Sequence, residues 1–330
     1  MLRVGVCGTD REVMLHGLGG PRGLPEGSDY LVMGHEAVGR VVEIGSDVTD
    51  LEPGDLVVPT VRRGCGECVA CAVGQADLCY TGRIKERGIV GLHGFLSERV
   101  VDSAEHLVKV PRELQAVAPL VESLTTPEKA MRRITNARAH LPDPAVRRAL
   151  VTGTGPIALL AVLMLRLKDL ETVVLARQPA DSVQAQLARQ TEATYTELAD
   201  VDLNQPQAKL GGFDIVIEAT GAAEMSVAMI AALGQNGVLD LVGGPSDRRP
   251  VPIQASSLGA MVGRNLTVQG SVNANPDDWR RAVADLVQMR TRFPGVVDAL
   301  ITHRFDISSF DDRALTRVPG QIKAVVDISE

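Results

Sequence analysis

Two kinds of apolar patterning divide the chain. Between residues 34 and 58, the run GHEAVGRVVEIGSDVTDLEPGDLVV alternates apolar with polar positions around the turn-forming GSDV and EPGD, which predicts a β-meander. Beyond residue 147 the pattern becomes short, nearly continuous apolar runs separated by helical or loop sequence. These are Ala149 to Thr152, ETVVLAR at 171–177, FDIVIEATG at 213–221, GVLDLVGGP at 237–245 and LTVQGSV at 266–272. They predict the strands of a doubly wound parallel sheet, and IKAVVDI at 322–328 predicts a closing strand. The fold class is therefore α/β. No internal repeat, low-complexity tract or coiled-coil heptad interrupts it.

The uncharged stretch from Ala149 to Leu165 falls short of the roughly 20 residues of a membrane span and has a better explanation. A strand runs into Gly153-x-Gly155-x-x-Ala158 and then an apolar helix, which is the dinucleotide-binding turn with alanine at its third small position. The first glycine makes the turn, the second lets backbone approach a pyrophosphate, and the helix N-terminus faces its charge. Gly153, Gly155, Pro156 and Ile157 are the candidate cofactor contacts here. Thr220, Gly243, Val272 and Asn273 join them, because they sit at the C-terminal ends of later strands, where a parallel sheet borders its ligand. At the end of the second strand, where an acid would grip the ribose of NAD, stands Arg177. An arginine suits the 2′-phosphate of NADP, which is favoured, although a strand-end arginine is also often merely solvated and Asp181 would support NAD.

Cysteine placement adds a second chemistry. Cys65, Cys68, Cys71 and Cys79 fall in one loop punctuated by Gly64, Gly66 and Gly74, at a spacing that lets four thiolates turn toward one point. A closed structural zinc site is expected; an iron–sulfur cluster uses similar ligands, and unconnected thiols are the bland alternative. Cys7 stands apart in VGVCGTD. With His35 of the GHE triplet it offers a soft thiolate and an imidazole, and Glu36 or Glu122 would complete a zinc site with an exchangeable position. A lone cysteine and a lone histidine are more often packed side chains, so the pair gains weight only beside the dinucleotide turn.

Length and composition narrow the partners. A chain of 330 residues exceeds one ordinary core, so two domains are expected. The net charge of −7 and an aromatic content of 3% leave neither the basic footprint nor the stacking platforms of a nucleic-acid binder. The first residues lack the apolar core of a signal peptide, which points to a reducing, cytoplasmic location and to metal ligation by the clustered thiols.

The segments VGVCGTDRE, LVMGHEAVG, RRGCGECVAC, ERGIVGLHGFLSE and GTGPI, in that order, resemble the zinc-dependent medium-chain dehydrogenase/reductase family, and within it the archaeal-type glucose 1-dehydrogenases. The resemblance covers essentially the whole chain. It implies a GroES-like catalytic domain over 1–147, a Rossmann NAD(P)-binding domain over 148–273 and a return to the catalytic domain over 274–330. It also implies two zinc ions per chain, and a homodimer or homotetramer. The activity implied is oxidation of an aldose such as glucose at C1 to the lactone, with hydride passing to NAD(P)+. A polyol or secondary-alcohol dehydrogenase is the alternative within the family. A zinc-free quinone reductase or a non-catalytic cofactor-binding protein is the alternative outside it.

Residue by residue, the resemblance assigns the catalytic zinc to Cys7, His35 and Glu122, with Glu36 contending for the remaining position. Thr9 matches the proton-relaying hydroxyl and Asp10 the acid that orients the zinc-bound histidine. Glu86 and Asn273 match ligands of sugar hydroxyls. Two departures bear on the substrate: Val61 stands where relatives have an asparagine, and Gly263 where they have a histidine. A third lies at the start, where the family's opening strands precede the cysteine of CGTD. The catalytic domain is thus expected to be N-terminally truncated relative to the family, through a misassigned start or a fold that tolerates a missing hairpin; the former is favoured, because a zinc ligand as near a fraying terminus as Cys7 would be poorly preorganised.

Overall fold

The computed structural model describes residues 1–16, 23–244, 249–310, 316 and 318–329; Pro245, which closes the GVLDLVGGP run, lies outside them. The chain divides into two compact units. One comprises Met1–Thr125, Asn273–Val287 and Val297–Glu330, and the other Thr126–Val272 with Gln288–Val296.

Fifteen strands are described. In chain order the first unit contributes β1 (Arg3–Val6), β2 (Glu36–Arg40), β3 (Leu56–Pro59), β4 (Arg62–Arg63), β5 (Lys85–Arg87), β6 (Gly91–Leu92) and β7 (Leu107–Lys109). The second contributes β8 (Arg148–Thr152), β9 (Glu171–Ala176), β10 (Thr194–Glu197), β11 (Phe213–Glu218), β12 (Leu233–Leu241) and β13 (Thr267–Gly270). The chain then returns to the first unit with β14 (Ile301–Asp306) and β15 (Lys323–Asp327).

In the first unit the order is β14-β15-β1-β2-β3-β7, and β4-β5-β6 form a separate small sheet. Strand β1 is antiparallel to β15 on one side and to β2 on the other. Val4 and Val6 are buried on it, packing with Ala37 and Phe95 and with Ala324 and Val326. Ladder bonds on both edges and a buried side-chain set fix this strand, so Cys7 leaves a pinned element; the expected fraying at Cys7 is corrected. The expected β-meander is also corrected. Only one hairpin, β2 with β3, forms there. Val41 still donates to Asp55 O, but Val42 is 69% exposed and Ile44 sits at the surface, so alternation past Arg40 has no apolar face to bury.

The second unit is an all-parallel sheet in the order β10-β9-β8-β11-β12-β13, as a doubly wound fold requires. Between β8 and β9 runs the helix Pro156–Leu167, buried at every position from Ala158 to Leu165. That burial explains the long uncharged run as a βα unit. None of the helices among the described residues is long and apolar enough to cross a membrane.

Candidate active site

In the first unit, β1 delivers Cys7 to the start of the helix Gly8–His16. Cys7 caps this helix: Thr9 N donates to Cys7 Sγ at 3.2 Å, and Cys7 N donates to Asp10 Oδ2 at 2.8 Å. Asp10 thereby holds both the cysteine backbone and, through Oδ1 at 3.3 Å, His35 Nδ1. His35 Nε2 lies 3.2 Å from Cys7 Sγ. Burial raises the cost of charge on Asp10, but His35 outweighs it and the carboxyl sits below its usual range. Burial likewise opposes charge on His35, yet Asp10 and Cys7 hold the imidazole well above its ordinary value.

Glycine contacts position this histidine. Gly34 has φ of +89°. A Cβ on Gly94 would lie 2.3 Å from Gly34 O and 2.5 Å from Met33 O, and one on Gly88 would lie 2.4 Å from Gly34 O. Three backbone segments thus meet at van der Waals distance next to His35, which only glycine permits.

Glu122, at the start of the helix Leu120–Arg138, shares a group with His35 and Glu36 whose ligand atoms lie within 4.8 Å of one another, and Cys7, Asp10 and His35 form a second such group. Burial first, with Glu36 and Asp10 adding, pushes Glu122 up to about 7 against the pull of His35 and Lys323. Glu36 is held otherwise: both its oxygens accept from Lys323 Nζ, and Ser123 Oγ donates to Oε1 at 2.9 Å. Neither Lys323 nor Ser123 carries a local sequence signal, since they stand 287 and 87 residues from Glu36. The two groups that share His35 bring a thiol, an imidazole and three carboxyl groups together, with Lys323 held on Glu36. That donor set and its surplus of negative charge fit a zinc ion.

The resemblance named Glu86 and Asn273 separately as ligands of sugar hydroxyls, and the structure brings them together: Asn273 Nδ2 donates to Glu86 Oε1 at 2.8 Å. Val61 is buried and presents no polar group. In the cysteine loop, the four sulfurs lie within 4.8 Å of one another, and all four residues are free thiols. A Cβ on Gly64 would lie 2.3 Å from Cys71 Sγ, so glycine there makes room for the sulfur. Four converging thiols fit a closed zinc site.

In the second unit, Gly153 adopts φ of +92° and extends the ladder to β9 by donating to Leu175 O at 2.9 Å. A Cβ on Gly155 would meet nothing within 4 Å, leaving the open approach that a pyrophosphate needs, with Pro156 and Ile157 opening the helix behind it. Gly243 and Gly221 pack backbone to backbone, a Cβ on the former falling 2.4 Å from Gly221 N. Beside them, Thr220 N donates to the buried Glu218 Oε1 at 2.8 Å, an anchor the sequence did not reveal. Arg177 is exposed just past β9, and Val272 is exposed beyond β13. These features fit a dinucleotide.

Comparison with known proteins agrees with both units. Residues 1–112 match the alcohol dehydrogenase GroES-like domain, and residues 115–328 match the glucose dehydrogenase C-terminus. The chain is 35% identical over 330 residues to a glucose 1-dehydrogenase of Methanocella arvoryzae, covering 99% of this chain and 90% of that one. It is 39% identical over 330 residues to glucose 1-dehydrogenase 2 of Vulcanisaeta moutnovskia, at the same coverage. Among solved structures, glucose dehydrogenase of Haloferax mediterranei in complex with NADP, Zn and gluconolactone superposes with a TM-score of 0.90 at 33% identity, covering all of this chain and 91% of that one. The chain belongs to the glucose dehydrogenase family, within the zinc-dependent medium-chain dehydrogenases/reductases.

Proposed function

We propose that this protein oxidises an aldose of the glucose class at C1 to the aldonolactone and passes the hydride to NADP+ in preference to NAD+. The observation that carries the reading is that Cys7 and the carboxylates Glu36 and Glu122 gather about His35, in two groups that share its imidazole. Likeness to a relative crystallised with NADP, Zn and gluconolactone supports it.

Cys7, His35 and Glu122 would hold one zinc, and Cys65, Cys68, Cys71 and Cys79 a second. When bound, the first zinc supplies Lewis acidity that lowers the pKa of the sugar C1 hydroxyl, and the nicotinamide accepts the hydride. Asp10 fixes the His35 ring through Nδ1, so that Nε2 faces Cys7. Lys323 and Ser123 hold Glu36 in place. Thr9 takes the proton that leaves the C1 hydroxyl and passes it toward solvent. Glu86 and Asn273 bind ring hydroxyls, and with Val61 apolar they carry the recognition of the sugar. Gly153, Gly155, Pro156, Ile157, Thr220, Gly243 and Val272 cradle the dinucleotide, and Arg177 pairs with its 2′-phosphate. The reading also carries a cytoplasmic homodimer or homotetramer, which light scattering on the purified protein tests.

The experiment is a metal-replete assay of NADP+ and NAD+ reduction against a panel of aldoses and polyols. Aldose-dependent NADPH formation is expected. Turnover of sorbitol or threitol with no response to cyclic aldoses would instead establish a polyol dehydrogenase.

A further inference from the structure

The antiparallel register of β4 and β5 places Arg62 directly opposite Glu86. Arg62 Nε and Nη2 lie 2.9 and 2.8 Å from Glu86 Oε1, and Asn273 Nδ2 donates to that same oxygen at 2.8 Å. Three N–H groups therefore converge on one oxygen. No donor reaches Oε2 among the described residues, and the side chains of Arg62 and Glu86 are only 11% and 12% exposed.

Both partners of Glu86 are themselves fixed. Arg62 Nη1 reaches Asp77 O at 3.4 Å, in the short turn Ala76–Leu78 that leads into Cys79. Asn273 sits in the left-handed region at φ of +60°, and its Oδ1 accepts from Ala274 N at 3.1 Å, so its amide nitrogen is the end turned to Glu86.

We propose that Arg62 is a positioning residue for sugar recognition: it pins Glu86 Oε1, with Asn273, so that Oε2 alone is presented to one substrate hydroxyl. The inference rests on the reading of Glu86 as a sugar-contacting carboxylate. A free glutamate turns easily about its last side-chain torsion, so without a clamp it adapts to whatever faces it. A held acceptor instead rejects a substrate lacking the matching hydroxyl, because its bonding capacity is then left unmet in a partly desolvated site. Lysine does not reproduce the clamp, since two nitrogens of a planar fork reach the same oxygen here.

The test measures kcat and KM for glucose and its 2-, 3-, 4- and 6-monodeoxy or deoxyfluoro analogues on the zinc-replete holoenzyme. It compares the native chain with Arg62→Met, Arg62→Lys and Glu86→Gln, alongside zinc content and thermal midpoint. Native enzyme is expected to discriminate strongly against one analogue. Arg62→Met should raise KM for glucose roughly ten-fold or more while kcat stays within a few-fold, and should collapse the discrimination against that analogue alone. The KM for NADP+ and the zinc content should not move. Arg62→Lys should fall between, and it serves as the test if the methionine variant does not fold. Full discrimination retained in both Arg62 variants, or an equal loss against every sugar together with a lowered midpoint, would reduce Arg62 to a strand brace and overturn the proposal. If Glu86→Gln also leaves discrimination intact, the assignment of Glu86 itself fails; if it abolishes discrimination while the Arg62 variants do not, only the role of Arg62 falls.

Discussion

Lys323 Nζ lies 2.6 Å from each carboxylate oxygen of Glu36, and the two side chains are 1% and 2% exposed. A buried pair of this kind contributes little net stability when intact, but removing one partner strands a charge out of water. Lys323→Met is therefore expected to destabilise the protein by about 3–5 kcal/mol. The double variant with Glu36→Gln should recover a large part of that loss, because the stranded charge is gone. Denaturant unfolding of the four proteins in the cycle checks this, and additive losses would contradict it.

Gly94 carries a steric prediction. A Cβ there would fall inside the contact distance of two backbone carbonyls, Gly34 O and Met33 O, and no flexible side chain lies in the way to yield. Gly94→Ala should cost about 1–3 kcal/mol of stability and displace the peptide that precedes His35. Weaker zinc retention against a chelator is expected beside the lower midpoint. A fully stable variant with undisturbed metal content would show that the loop shifts freely.

How much of this was legible in the sequence follows from the range of the interactions. The Rossmann unit announced itself because a buried βα unit needs unbroken apolar residues and a glycine turn, all local in the chain. Strand β10 did not, since TYTE is short, polar and at the sheet edge. In the first unit, alternation located β2 and β3 but overran into Val42 and Ile44, which lie at the surface. The cysteine loop was visible from spacing alone. The clamps of Arg62 and Lys323 were not, because a long-range ion pair leaves no periodicity: each becomes apparent only once β4 meets β5 and β15 meets β1.

Glu122 and His35 give the metal-stripped protein a definite pH response. Glu122 ionises at about 7 when folded against an ordinary 4.5, because burial disfavours its charge. The folded state thus holds that proton more tightly than the unfolded chain. Its contribution is fully present below about pH 4.5 and is lost as pH rises through about 7. His35, raised above 6.5 by Asp10 and Cys7 against burial, acts in the same direction, losing its contribution as pH rises from 6.5 through its folded value. The stripped protein should consequently melt lower at pH 8 than at pH 6. Zinc binding displaces these protons, so added zinc should raise the midpoint more at pH 8 than at pH 6. Thermal midpoints with and without zinc across this range decide it, and a stripped protein that becomes more stable toward pH 8 would contradict the assignment.

The two proposed zinc sites should separate by variant. Cys7→Ser is expected to abolish turnover and remove one zinc per chain, with the fold and NADP+ binding preserved. Cys68→Ser should remove the other zinc and act through stability, because the four thiols that close on one another there would together fill a zinc ion's tetrahedral coordination. Metal analysis, circular dichroism and cofactor titration on both variants check the division. A Cys68→Ser protein with a native midpoint and no activity would overturn the structural role of the loop.

Arg177 carries the last prediction, on cofactor choice. It stands exposed at the end of β9 with no hydrogen bond or ion pair to any described residue, so its guanidinium is free to meet a 2′-phosphate. A charge-assisted bond of that kind is worth about 1.5–3 kcal/mol, or roughly 10- to 100-fold in affinity. Arg177→Ala should therefore raise KM for NADP+ by about that factor while leaving KM for NAD+ and kcat with either cofactor nearly unchanged, since NAD+ has no phosphate at that position. The separation is internal to one variant, which distinguishes loss of a contact from general damage to the Rossmann turn. Equal weakening of both cofactors would place the arginine outside the phosphate site and return Asp181 as the residue that sets the preference.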